Sequence, residues 1–312
     1  MISKLICCLA LSLSTSAVDA RAAASPQLGD VDSIVVIAHP GPPIWHVIRG
    51  QSDVVILGTI SPLPVGLHWS IFRLEAGVKG ARRVILGAEP SSGYGWSVSL
   101  SPSMYQEFML KGRGTLRSDL PPDLRTRYAE ALKLGHLEAS QFDEWKAGAV
   151  GFVVLDHDRQ ALGLTTAEPN TTVQNIARRQ RVPSVTISTR ADLPTLDELP
   201  RLALADQNRC LAESLDNLDR ERASGAMIAH AWAIADMQTL RAHYEPPHSC
   251  EDLLFGDKAR RDTAVRSTLA EIETDLTRGS RSVVLVDLSI LFSPGFFEEL
   301  ARTGAVIKAP SE

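Results

Sequence analysis

The chain is poor in cysteine and lacks both a membrane-spanning apolar run at its N-terminus and any stretch of unbalanced positive charge. Of its four cysteines in 312 residues, Cys7 and Cys8 lie in the opening segment and only Cys210 and Cys250 remain beyond it. That leaves at most one disulfide in the body of the protein. The apolar run Leu5 to Leu13 is too short to cross a bilayer, so no stable membrane span is expected there. Net charge is −5. The basic clusters Arg178-Arg179-Gln180-Arg181 and Lys258 to Arg261 lie in helical segments that read as solvated faces, not as a nucleic-acid stripe. No Gly-x-Ser-x-Gly elbow surrounds Ser61, which argues against serine hydrolysis. Gly93-Tyr94-Gly95 is too short to cradle phosphate. There is no internal repeat and no low-complexity linker.

The first residues have the form of an export signal. Lys4 precedes the apolar run, and small residues follow, with cleavage expected after about residue 20 or 24. Residues 1–24 are thus read as a cleaved signal peptide of a periplasmic or secreted protein. In that setting Cys210 and Cys250 form one disulfide or remain as two buried thiols. A disulfide closing a loop of about 40 residues would contribute roughly 4 kcal/mol in the chain-entropy picture.

The remainder, residues 33–308, reads as a single α/β domain. Strands are expected at 33–38, 44–48, 53–57, 83–86, 182–188, 282–286 and 305–308, with a possible edge strand at 96–100. Helices are expected at 71–78, 121–134, 140–161, 173–180, 204–224, 226–244, 261–277 and 295–302. Strands at both ends therefore flank a largely helical middle, and the last ones return to the first sheet. The helix at 140–161 is apolar on most sides from Ala147 to Leu155, which suits a buried helix or an interaction face.

Val54-Val55-Ile56-Leu57-Gly58-Thr59-Ile60-Ser61 reads as a buried strand whose C-terminal end enters a proline-rich loop. Such ends carry the chemistry of many α/β folds. A metal ligand or proton carrier would be useful at the last position, and serine occupies it.

Pro43-Ile44-Trp45-His46-Val47, a turn, Val54 to Thr59, and then Pro62-Leu63-Pro64-x-Gly66-Leu67-x-Trp69 resemble the opening of the TraB/GumN family, which includes the TIKI metalloproteases. Val283 to Leu291, Gly295 to Leu300 and Gly304-Ala305-Val306 resemble its closing segment. Trp232-Ala-Ile-Ala-Asp236 resembles its Trp-x-x-Gly-Asp helix, and Arg261-Asp262 falls where it has Arg-Asn. The resemblance implies a mixed sheet related to erythromycin esterase and ChaN-like proteins. It also implies a divalent-metal site built from two Gly-x-x-His histidines and a glutamate, which would acidify a bound water. Here those three positions hold Ser61, Ile290 and Gly87, with Asp287 in place of the second glycine. A further acidic position of the family falls within Ile187-Ser188-Thr189.

Replacement ligands are conceivable. His68 lies in the loop after Ser61, and Glu89 would share a face with residue 87. Asp287 at the end of the last long strand would form a polar pocket or weak ion site with Ser61, or serve as a helix or turn cap. His243-Tyr-Glu-Pro-Pro-His248-Ser-Cys250 has metal-ligand residue types but reads as a turn between helices. Asp156-His157-Asp158 reads as a solvated helix end.

These residues point to a catalytically degenerate, exported TraB/GumN-like module that binds or scaffolds an unknown protein or small molecule. Its cleft would involve Gly58, Thr59, Ser61, His68, Gly87, Glu89, Arg261 and Asp287. No cofactor is expected. A divalent metal enters only if the protein is instead a hydrolase or peptidase with ligands drawn from His68, Glu89 and Asp287. A haem-type binder, by analogy with ChaN alone, is a third reading.

Overall fold

The computed structural model describes residues 41–87, 115–187, 202–246 and 257–310, with backbone alone for 257–260. The segment 1–24 read as an export signal, the strands expected at 33–38 and 96–100, Gly93 to Gly95, Glu89, His248 and Cys250 lie outside the described residues.

The chain opens with a hairpin. Strand β1 (Ile44–Arg49) turns through Gly50-Gln51 into β2 (Ser52–Thr59), antiparallel, with Arg49 opposite Ser52. A short β3 (Leu63–Pro64), α1 (Phe72–Val78) and β4 (Val84–Leu86) follow. The helical block holds α2 (Leu116–Asp119), α3 (Pro122–Leu134), a single 3-10 turn (Ala139–Phe142) and α4 (Ala147–Ala161). It continues through β5 (Leu164–Thr165), α5 (Asn170–Gln180), β6 (Ser184–Thr186), α6 (Leu204–Ala233), α7 (Met237–His243) and α8 (Asp257–Leu276). The chain closes with β7 (Arg281–Asp287), α9 (Leu288–Leu291), α10 (Phe296–Arg302) and β8 (Val306–Lys308).

Six strands form one mixed sheet in the order β6-β4-β7-β2-β1-β8. The C-terminal strands return as expected, β7 parallel beside β2 and β8 antiparallel beside β1. Strand alternation divides the core in two. Val54, Ile56, Val284 and Val286 face a cluster completed by Trp232, Leu240 and Ile272. Val55, Leu57, Val283 and Leu285 face Leu74, Val78, Val173 and Ile176 from α1 and α5. β2 and β7 are therefore apolar along their lengths, because both faces are covered.

A separate apolar cluster joins α2, α3, α4 and the first half of α6 through Leu124, Tyr128, Val150, Val154, Leu211 and Leu215. Helix α6 has 30 residues, about 45 Å at 1.5 Å per residue. It reaches from this cluster to the sheet core, where Ala229, Ala231 and Trp232 are buried.

Some local expectations need correction. The helix expected over 140–161 is broken, because the Asp143 carbonyl accepts from the Leu116 amide at 2.7 Å while Phe142 and Trp145 pack edge to face. Of the two readings of the apolar stretch of α4, buried helix and interaction face, the buried one holds. Gly148 and Gly151 let it approach α6 so closely that added Cβ atoms would meet Gln207 Oε1 at 2.5 Å and Ser214 Oγ at 2.8 Å. Asp158 is not solvated: it is buried and pairs with Arg222 of α6 at 2.6 Å.

The helix break expected near Gly225 lies instead at Ala235. The helix runs through Gly225, and Ala235 takes the left-handed φ of 55° that ends it. Alanine thus occupies the glycine position of the Trp-x-x-Gly-Asp pattern in the conformation that favours glycine. Asp236 then caps α7, accepting from the Thr239 amide at 3.0 Å and its hydroxyl at 2.6 Å. Those bonds hold its carboxyl below the usual carboxylate range.

Candidate functional site at the strand ends

The parallel strands bring their C-terminal ends to one edge of the sheet. Thr59 lies opposite Asp287 across the β2–β7 pair, and Ile85 lies opposite Val284. Gly87 follows β4 directly, and Ser61 lies two residues past β2, half-buried, with a cis peptide to Pro62. Part of the expected cleft set, Thr59, Ser61, Gly87 and Asp287, is therefore placed at one end of the fold.

Gly58 and Gly87 are tightly constrained. The Gly58 carbonyl accepts from Trp232 Nε1 at 2.8 Å. A Cβ on Gly58 would meet Leu288 at 2.5 Å and the Trp45 ring at 2.7 Å. At Gly87 a Cβ would meet the backbone oxygen of Leu285 at 2.1 Å. The two contacts differ in kind, because side chains can give way and the backbone of a central strand cannot. Ile290, on α9, is 2 % exposed within the apolar core.

The loop after Ser61 is pinned by a small second sheet that local pattern does not reveal. Leu63 pairs with Thr165 and Pro64 with Leu164. Trp69 then packs edge to face on Trp232, with ring centroids 5.2 Å apart. His68 is exposed, as is Arg261 near the start of α8.

Asp287 is the polar centre of this end. It caps α9 by accepting from the Ser289 amide at 2.8 Å, and it accepts from the Tyr244 hydroxyl at 3.0 and 3.2 Å. Desolvation raises its pKa, opposed by the bonds from Ser289 and Tyr244. Burial and the neighbouring Asp287 charge push the Tyr244 phenol well above its ordinary range, so it remains a donor. Tyr244 is the site residue that sequence reasoning missed. It lies in the His243–Cys250 segment, but its partner is 43 positions away. Among the described residues, no three His, Cys, Asp or Glu side chains gather to hold a metal ion. No helix among them is long and apolar enough to cross a membrane.

The profile of the TraB/PrgY/gumN family matches residues 43–308, nearly all of the chain from the hairpin to β8. The chain belongs to the TraB/PrgY/gumN family. No curated protein and no solved structure matches it. The metal centre implied by the TraB/GumN resemblance does not fit the residues present. Ser61 offers a hydroxyl, Ile290 is apolar and enclosed, and Gly87 has neither a side chain nor room for one. These are not the imidazole and carboxylate donors of a catalytic divalent site.

The raised Asp287 pKa has a definite sign. The folded state holds this proton to higher pH than the unfolded chain, so the associated stability is fully present below the unfolded value. It is lost as pH rises through the folded value. Asp287→Asn keeps an acceptor for the Ser289 amide but removes the half-buried charge. We expect the variant to gain thermal stability relative to wild type as pH rises from 4 to 8, with the difference vanishing at the acid end. Melting curves across that range check it, and a constant offset would show that Asp287 titrates as a solvated carboxylate.

Proposed function

We propose that this TraB/PrgY/gumN-family protein is an exported, catalytically degenerate module that uses its fold to bind or scaffold a protein or small molecule. The observation that carries the reading is at Gly87. The position expected to supply a metal-binding carboxylate is closed by the Leu285 carbonyl. A backbone packed into the ligand's place supports a strand end organised without one. Ser61 and the enclosed Ile290 agree with this.

The test is a titration of the purified protein with zinc, manganese and cobalt, following the melting temperature. An ion bound at 100 times its dissociation constant would stabilise the fold by about 2.7 kcal/mol. We expect no upward shift with any of the three and no metal-dependent peptide hydrolysis. A saturable shift accompanied by hydrolysis would overturn the reading and return the relocated set of His68, Glu89 and Asp287 to consideration.

Export and a single Cys210–Cys250 disulfide belong to the same proposal. Cys210 is buried on α6 with its Cβ close to Gly148. A bond to Cys250 would tether α6 to the chain following α7. Intact mass of the exported protein, with thiol counting under denaturing, non-reducing conditions, should give an N-terminus near residue 21 or 25 and no free thiol. Two free thiols, or an uncleaved N-terminus, would sink that part.

A further inference from the structure

The fold gathers five exposed cations from two distant segments at the end of the sheet opposite Asp287. β4 and β6 are parallel neighbours, with Val84 opposite Ser184. The chain leading into each therefore emerges side by side. Lys79 and Arg82 lie on the approach to β4, and Arg178, Arg179 and Arg181 lie on the approach to β6; all five are exposed. The two helices are held together there. Gln180 Nε2 donates to the Glu75 carbonyl at 3.1 Å, and Arg179 pairs with the Glu75 carboxylate at 3.0 Å.

Counting charge decides whether this cluster is balanced. Glu75 neutralises Arg179. The C-termini of α1 and α5 lie here too, and each contributes roughly −0.5 of an elementary charge. Lys79, Arg82, Arg178 and Arg181 pair with no carboxylate among the described residues, and Arg178 bonds only to the amide oxygen of Asn175. About three positive charges are left uncompensated after the helix dipoles are subtracted, in a chain whose net charge is −5.

The chemistry around the cluster narrows the partner. Residues 75–87 and 170–187 contain no phenylalanine, tyrosine or tryptophan. Among the described residues at this end there is no platform on which nucleic-acid bases could stack and no aromatic anchor of the kind that dominates protein interfaces; the exposed Phe72 lies at the opposite, N-terminal end of α1. A lipid surface bearing anionic headgroups needs neither, because cations within a Debye length of it suffice. We propose that this end of the sheet docks the protein reversibly on an anionic phospholipid surface. The proposal does not depend on the binding role of the strand-end cleft, which lies at the other end of β4 and β7.

Vesicle sedimentation tests it, using protein purified as the cell produces it. Vesicles of phosphatidylcholine alone are compared with vesicles containing about 30 % phosphatidylglycerol, at low and at raised salt. Binding is expected only to the anionic vesicles and is expected to fall with salt. Arg178→Glu with Arg181→Glu should weaken it at least about tenfold. Arg117→Glu with Lys133→Glu makes the same charge change at exposed positions on α2 and α3 and should leave binding within about twofold. Thermal melts confirm that both pairs fold. Equal binding to neutral vesicles, equal weakening by the α2–α3 pair, or release by millimolar glycerol phosphate would each overturn the proposal. So would retention on DNA or an acidic peptide with no vesicle binding.

Discussion

Glutamate placed at residue 87 should destabilise the protein severely, by about 3–5 kcal/mol. The reason is not charge. A Cβ at this position would lie 2.1 Å from the Leu285 oxygen, 3.1 Å from its carbonyl carbon and 3.7 Å from the Val286 Cα. All three are backbone atoms of β7, which sits between β4 and β2 with Val283 to Val286 at most 1 % exposed. A central strand covered on both faces cannot shift without breaking ladders on two sides. Gly87→Ala should therefore lose most of what Gly87→Glu loses, since the first carbon makes the clash. At roughly 2–4 °C per kcal/mol for a chain of this size, the fall in melting temperature is of order 10 °C. Should Gly87→Glu melt within a degree or two of wild type, the strand end has room for a ligand carboxylate, and the degenerate reading loses its main support.

Trp232 carries the second large effect. It is 0 % exposed, packs on Trp69, and donates its indole N–H to Gly58 at 2.8 Å. One side chain thus fastens the end of α6 to the strand that leads to Ser61. Trp232→Ala should cost about 3–5 kcal/mol through lost burial and the cavity left behind. Trp232→Phe keeps most of the volume but leaves a buried carbonyl without its donor, a cost of about 1–3 kcal/mol. Urea unfolding of both variants separates the two contributions. If Trp232→Phe unfolds at the wild-type midpoint, the indole–Gly58 bond does not hold the strand end.

Much of the architecture was legible because it depends on local period. The alternating and apolar runs at Ile44–Arg49, Ser52–Thr59 and Arg281–Asp287 are strands, since few other structures bury such runs. Helix ends were less legible. Gly225 reads as a break, yet the helix continues because packing at both its ends outweighs the roughly 1 kcal/mol that glycine costs. Ala235 has no intrinsic preference for the left-handed turn it makes, so nothing local marks it. The Leu63–Pro64 pairing with Leu164–Thr165 involves two residues on each side, too few to form a pattern.

The same division holds for the candidate site. The strand running to Ser61, the missing histidines at 61 and 290 and the carboxylate at 287 are matters of residue identity and order, and the sequence by itself determined them. It could not say that Gly87 has no space for a side chain, or that Tyr244 donates to Asp287. Nor could it say that Lys79 and Arg82 stand beside Arg178 and Arg181. Each of those facts is a distance between residues far apart in the chain. Such distances follow from strand register and from which helix covers which face of the sheet, and only the tertiary structure decided them.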